Sequence, residues 1–313
     1  MKKYRIIYAG TPEFAIPPLE GIYESENLLA VITQPDKPKG RGLTPSPSPV
    51  KLWSIEKNLP VFTPQKLKDP QFLKQIEELS PDIIVVCAYG KILPKEFLKI
   101  PKYGCWNIHA SLLPKYRGAS PINWAILNGE KETGITIILM DEGLDTGPIL
   151  LQKKIEISDE DTSIEVAKKL SLLAKETILS AINLHKENKL VPKPQNHELA
   201  TYAPMLKKED GFFSFDEPAL LIERKVKGLL PWPTAYTYYK NKLLKVYSAK
   251  SIPVDTKEEP GTILKITKEG ILISTSENAI LLKEVQLEGK KRINAYEFAC
   301  GQRLKPGQKF GIN

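Results

Sequence analysis

The sequence predicts an α/β chain: a Rossmann-like, mostly parallel sheet over residues 1–189, a linker at 190–205, and a small β-barrel domain over 206–313. Three observations carry this reading. Apolar strand-like runs at 4–9, 28–33 and 82–88 alternate with helical periodicity in the first part of the chain, the pattern of a sheet covered by helices. Short β-rich runs separated by turn signals fill the last third, which suggests a small barrel. Between them, 190–205 holds three prolines among scattered polar residues, a linker composition. At 313 residues the chain fits two domains.

The elements follow in order. Tyr4 to Ala9 reads as a buried strand, and Thr11 and Pro12 suit the N-cap and first position of a helix. Gly10 sits at that strand-to-helix turn, but neither G-x-G-x-x-G nor G-x-x-x-x-G-K-[ST] occurs, so the sheet is expected to bind no NAD. Leu28 to Thr33 is a second strand. Gln34 to Lys51 then carries five prolines, two glycines and four basic residues against one acid, a composition that forbids a regular element. Arg41, between Gly40 and Gly42, can swing its guanidinium toward a phosphate or an RNA base; the alternative is a mobile solvated loop. Helices at 50–58 and 69–79 flank a short strand at 59–62. The apolar run 82–88 is a central strand and leads into Tyr89, Gly90, Lys91, Ile92, Leu93 and Pro94.

The most informative stretch runs from Gly104 to Gly118. Trp106, Ile108 and Ala110 fall on one face of an extended chain, and Asn107, His109 and Ser111 on the other. A strand covered on both faces should be apolar throughout. Here three polar side chains share one face near the carboxyl end, where open α/β sheets bind ligands. Asn offers amide donors and His a proton near neutrality, which suits a developing oxyanion. For a lone His, a hydrogen-bonded structural role is the ordinary explanation; the cluster argues against it. A helix at 120–127 and a strand at 133–141 follow, with Asp141 and Asp145 beyond its carboxyl end. An Asp in a Gly-rich turn is commonly just an Asx-turn. A strand at 149–157 and a long helix at 161–188 complete this part. His185 is read as solvated, and His197 is given no role. A helix at 219–229 precedes strands at 234–239, 243–249, 261–266, 271–275 and 279–286.

Composition narrows the class. No run of eighteen apolar residues exists and the amino terminus lacks a secretory pattern, so a soluble, cytoplasmic monomer away from membranes is expected. Three cysteines without metal-ligand spacing read as small buried residues, and three histidines without H-x-x-x-H make a metal site unexpected. Residues 206–313 hold 19 Lys and Arg against 13 Asp and Glu, while residues 1–205 hold 26 against 24. A basic final third suggests a polyanionic partner; a solubilising Lys/Glu surface explains the charge equally well.

Asn107-x-His109-x-Ser111-Leu-Leu-Pro-x-Tyr-Arg-Gly118 resembles the signature of the 10-formyltetrahydrofolate-dependent formyltransferases. The segment from Met140 to Gly147 is similar to that family's short Asp-bearing turn and places its third catalytic residue at Asp145. The motif from Ala9 to Ala15 and the loop around Arg41 narrow the resemblance to the branch that formylates charged initiator tRNA. It implies a formyltransferase fold followed by an open barrel resembling an OB fold. It also implies 10-formyltetrahydrofolate as co-substrate, without metal. Ser111, Leu112, Leu113 and Pro114 would wall the folate, with Tyr89, Gly90, Ile92, Leu93 and Asp141 near it; core packing accounts for Ile92 and Leu93 equally well. Lys39, Gly40, Arg41 and Gly42 would meet the initiator tRNA acceptor stem. The run of prolines after Arg41 is richer than the family pattern, which would stiffen the loop.

The implied reaction moves a formyl group onto the amine of methionine carried by initiator tRNA, through a tetrahedral intermediate. Asn107 and His109 would donate to its oxyanion, with Asp145 orienting and charging His109. Two rivals remain at this level: a related transferase with a purine nucleotide or amino-sugar acceptor, and a non-catalytic RNA-binding protein on an enzyme scaffold.

Overall fold

The computed structural model describes residues 2–39 and 44–310. The chain divides into two compact units, one of Met1–Pro121, Glu132–Glu156 and Ala167–Pro204, the other of Ile122–Lys131, Ile157–Val166 and Met205–Asn313.

In chain order the strands of the first unit are β1 (Arg5–Gly10), β2 (Asn27–Ile32), β3 (Lys37–Lys39), β4 (Thr44–Ser46), β5 (Val61–Phe62), β6 (Ile83–Cys87), β7 (Cys105–His109), β8 (Arg117–Gly118), β9 (Glu132–Leu139), β10 (Ile149–Glu156) and β11 (Tyr202–Ala203). Helices along the same stretch are α1 (Ile16–Ser25), α2 (Pro49–Glu56), α3 (Pro70–Glu78), α4 (Lys95–Leu98), α5 (Pro121–Leu127) and α6 (Ser163–Lys186). Seven strands form one sheet in the order β10-β9-β7-β6-β1-β2-β5. β5, β2, β1, β6 and β7 run parallel, and β9 and β10 add antiparallel strands at one edge. From β1 the chain builds outward through β2 to β5 and then returns to place β6 on the other side. The β1/β6 boundary is therefore a topological switch point, the place at whose carboxyl ends open α/β sheets bind ligands.

Every residue of β6 is buried, and in β1 all but Arg5 are, as central strands of a parallel sheet require. Two helix starts in this unit follow cap chemistry. Asp69 Oδ1 accepts from the Gln71 and Phe72 amides at the head of α3, and Ser48 Oγ from Lys51 N at the head of α2. Thr11 departs from its expected cap role. Its hydroxyl donates to the Tyr89 carbonyl at 3.0 Å, and a short 3-10 turn from Glu13 to Ala15 precedes α1.

The 34–51 segment is more regular than its composition suggests. β3 and β4 form an antiparallel ribbon in which Pro38 lies opposite Pro45. Ladder hydrogen bonds in such a pair alternate, so two prolines facing each other fit the position that needs no N–H. Composition counted the missing donors but could not see that they fall in register. Gly40, Arg41 and Gly42, predicted to contact tRNA, lie outside the described residues; of Lys39, only the backbone is described, at the end of β3.

The second unit adds α7 (Ala219–Gly228), β12 (Tyr236–Tyr239), β13 (Lys242–Ile252), β14 (Ile263–Thr267), β15 (Gly270–Ser274), β16 (Ala279–Leu287), β17 (Ile293–Asn294) and α8 (Ala295–Gln302). Its antiparallel sheet runs β12-β13-β16-β15-β14, with β17 also on β16. Among the described residues no ladder joins β12 to β14, so the sheet is not a closed barrel. The core beneath it unites Phe213, Ile222, Val226, Leu244, Val246, Ile271, Leu282 and Phe298. Tyr236 and Tyr239 are buried, whereas Trp232 is 55% exposed. Cys87 and Cys105 are buried as expected, but Cys300 is exposed, because it falls on the outer side of α8. Among the described residues, no helix is long and apolar enough to cross a membrane.

Candidate active site

β7 lies between β6 and β9, with Asn107 beside Val86 on one flank and Ile138 on the other. Its alternation places Asn107 and His109 on the same face. Asn107 remains partly exposed, and His109 is 5% exposed.

Asp145 reaches both, by an unexpected route. Because β9 runs antiparallel to β7, its carboxyl end lies beside Cys105 and Trp106 rather than beside His109. The Met140 amide donates to the Cys105 carbonyl at 2.8 Å. The turn after β9 must therefore fold back along β7 to deliver its carboxylate. Asp145 Oδ1 accepts from Asn107 Nδ2 at 3.2 Å, Oδ2 accepts from the Gly118 amide at 2.9 Å, and Oδ2 lies 3.5 Å from His109 Nδ1. Asp145 adopts φ +52°, a left-handed conformation that Asp tolerates better than most residues. The Gly118 backbone has φ +119°, and a Cβ there would meet the Ala203 carbonyl oxygen at 2.7 Å. Only glycine can bring that N–H to the carboxylate.

The other imidazole nitrogen is committed. His109 Nε2 lies 2.8 Å from the Tyr116 carbonyl, an acceptor only, so Nε2 carries the proton and Nδ1 faces Asp145. The expected division of labour changes accordingly. The Tyr116 carbonyl fixes the tautomer, and Asp145 faces the Nδ1 edge.

The predicted folate-side residues separate by exposure. Ser111 is buried: its hydroxyl donates to the Lys115 carbonyl at 2.6 Å, and its own carbonyl accepts from the Thr136 hydroxyl. The Leu113 side chain is buried and its amide donates to Thr136 Oγ1, while Leu112 and Pro114 are partly exposed. Tyr89 and Leu93 belong to the apolar core. Burial raises the Tyr89 phenol to about 12, and its hydroxyl finds no partner among the described residues. Gly90 is exposed at φ +79°, and Ile92 stands 88% exposed beyond β6. Asp141 Oδ1 accepts from the Gly143 amide and the Thr146 hydroxyl, and so shapes the turn that carries Asp145.

Two histidines set aside on sequence have partners. His185 Nδ1 shares a hydrogen bond with the Tyr4 hydroxyl at 2.8 Å, and its ring packs against Tyr4, Tyr103 and Trp106; burial holds its pKa below the usual histidine value. Tyr4 is 181 residues away, beyond the reach of any local pattern. His197 Nδ1 accepts from Arg117 at 3.0 Å. Gln195, in the stretch read as linker, is 6% exposed and bonded to Arg117 and to the carbonyls of Asp145 and Gly147. A single Gln between proline and asparagine gives no sequence signal for that placement.

Comparison with known proteins finds relatives of both parts of the chain. The family model described as formyl transferase matches residues 5–182, and the formyl transferase C-terminal domain matches 205–303. A methionyl-tRNA formyltransferase of Caldanaerobacter subterraneus is 47% identical over 305 residues, covering 97% of this chain and 98% of that protein. One from Geobacter sulfurreducens is 47% identical over 312 residues, covering 99% and 98%. Two solved structures share the fold at low identity. An N-formyltransferase from Helicobacter canadensis, in complex with folinic acid and dTDP-3-aminofucose, has TM-score 0.68 and 20% identity, covering 90% of this chain and 99% of its own. HypX from Aquifex aeolicus, in complex with tetrahydrofolic acid, has TM-score 0.64 and 17% identity; the match covers 99% of this chain but 49% of that one. With both parts of the chain matched and relatives this similar along nearly their full length, the chain belongs to the formyl transferase family.

Proposed function

We propose that this chain transfers the formyl group of 10-formyltetrahydrofolate to the amine of methionine on charged initiator tRNA, with Asn107, His109 and Asp145 as the catalytic groups. The observation that carries the assignment is one carboxylate touching both partners: Asp145 accepts from Asn107 at 3.2 Å and faces His109 Nδ1 at 3.5 Å. Relatives named for this activity cover nearly the whole chain, which favours the tRNA acceptor over a nucleotide or sugar.

The chemistry then follows from the hydrogen-bond directions. Asn107 has two amide hydrogens; one is held by Asp145, and the other is free to meet the carbonyl oxygen as the amine adds and that oxygen becomes negative. His109 and Asp145 take the proton that the attacking nitrogen sheds and return it to N10 as the carbon–N10 bond breaks. A C–N bond forms, a C–N bond breaks and one proton moves between the two nitrogens, so the transfer needs no redox partner and no covalent enzyme adduct. Ile92 and the partly exposed Leu112 and Pro114 would lie against the folate.

Recognition of tRNA is assigned to Lys39, Gly40, Arg41 and Gly42, and to the basic segment 206–313. That segment is read as an open, OB-like barrel, a common nucleic-acid platform; its 19 Lys and Arg against 13 Asp and Glu support the reading. The test uses purified protein with 10-formyltetrahydrofolate and charged initiator or elongator methionyl-tRNA. Formylmethionine is expected on the initiator. Transfer to glycinamide ribonucleotide or an amino sugar, but not to tRNA, would overturn the assignment.

A further inference from the structure

We infer that Gln195 is a positioning residue for formyl transfer, a clamp that fixes the Asp145 turn against the segment carrying Tyr116, Arg117 and Gly118. The inference rests on the catalytic roles proposed above for Asn107, His109 and Asp145.

Every polar atom of the Gln195 carboxamide is used. Nε2 donates to the carbonyls of Asp145 and Gly147, at 2.8 and 2.7 Å. Oε1 accepts from Arg117 Nη2 at 2.7 Å and Nε at 3.3 Å. Three successive residues are thereby tied to the site: Tyr116 holds His109 Nε2 through its carbonyl, Arg117 holds Gln195, and Gly118 donates to Asp145 Oδ2. On the other side is a turn whose Asp145 sits at φ +52°. Conformations of that kind persist where the surroundings over-determine them. The carboxylate is thus fixed twice, at its own oxygen by Gly118 and at its backbone by Gln195. Only a carboxamide of this length offers two donors to the carbonyls and an acceptor to the guanidinium. A catalytic group displaced by about 1 Å loses on the order of 10²-fold in rate, so a buried clamp of this kind sets turnover without touching substrate.

Two substitutions separate the clamp from the fold. Gln195→Glu keeps length, shape and an acceptor for Arg117 but sets a carboxylate oxygen against two carbonyls. Gln195→Met keeps length alone. Both are assayed for kcat, for KM toward 10-formyltetrahydrofolate and charged initiator tRNA, and for thermal midpoint, beside Asp145→Asn. The expected result is a kcat lowered about 10- to 100-fold, with both KM values within about threefold and folded protein at assay temperature. A purely structural role would lower the midpoint and leave kcat per folded molecule unchanged. If Asp145→Asn is inactive while a folded Gln195 variant keeps kcat within about threefold of wild type, the clamp is refuted and the catalytic assignment stands. Full activity in Asp145→Asn would overturn both. Failure of both Gln195 variants to fold would make the residue a stability element and refute the clamp as well.

Discussion

β6 and β7 are neighbours in one sheet, run in the same direction and pair residue for residue, with Val86 beside Asn107. Yet β6 buries Ile83, Ile84, Val85, Val86 and Cys87, while β7 places an amide and an imidazole on one face. Burying polar groups is tolerable only when they find partners. On β7 those partners are Asp145 and the Tyr116 carbonyl, brought by segments that follow the strand. A strand becomes a site when its polar face is satisfied from outside the sheet.

The sharpest way to break the comparison is to remove the polar face. Asn107→Ala is expected to lower kcat/KM by about 10²–10³, the loss of one oxyanion donor, with the thermal midpoint nearly unchanged. Turnover near wild type, measured by formylation of initiator tRNA, would return β7 to the status of an ordinary strand. The converse substitution is Ile84→Ala on β6. Its side chain is fully buried, so a stability loss of about 2–5 kcal/mol is expected in denaturant titration, with kcat of the folded fraction unchanged.

A smaller effect probes the opposite face of β7, where Trp106 packs against His185. Burial lowers the His185 pKa, so the fold favours its neutral form. The stability this contributes is complete above the unfolded value of about 6.5 and is lost as pH falls below it through the folded value. Thermal midpoints of wild type should therefore drop between pH 7.5 and 5.5 by more than those of His185→Phe; equal drops would exclude His185 as a source. The smallest effect concerns the thiols where the two strands end and begin. Burial pushes Cys87 and Cys105 up to about 12, so a thiol reagent should modify Cys300 alone in native protein and all three cysteines after unfolding. Fast labelling of two or more thiols in the native state would show that the sheet opens there.

Much of this arrangement was legible in the chain. The period-two pattern of Trp106, Asn107, Ile108 and His109 is local, and so are the Asp69 cap and the apolar β6. The Asp145 turn was legible as a motif, but its path was not. Whether β9 runs with or against β7 depends on the crossover between them, and that decided that the turn folds back along the strand. The same limit applies to Thr11, whose hydroxyl goes to Tyr89, and to the facing prolines of the β3–β4 ribbon.

By itself the sequence determined which strands are buried, where the polar face lies, and which side chains could meet a carbonyl, because these depend on residues within a turn or two of each other. Tertiary structure alone decided that His109 turns Nδ1 toward Asp145, since a carbonyl seven residues on takes Nε2. It alone decided that Gln195 bonds both Arg117 and the Asp145 turn and that His185 has a partner. Those outcomes rest on contacts between residues up to 181 positions apart, and hydrogen-bond partners at such separations are set by how the elements pack rather than by any local pattern of residue types.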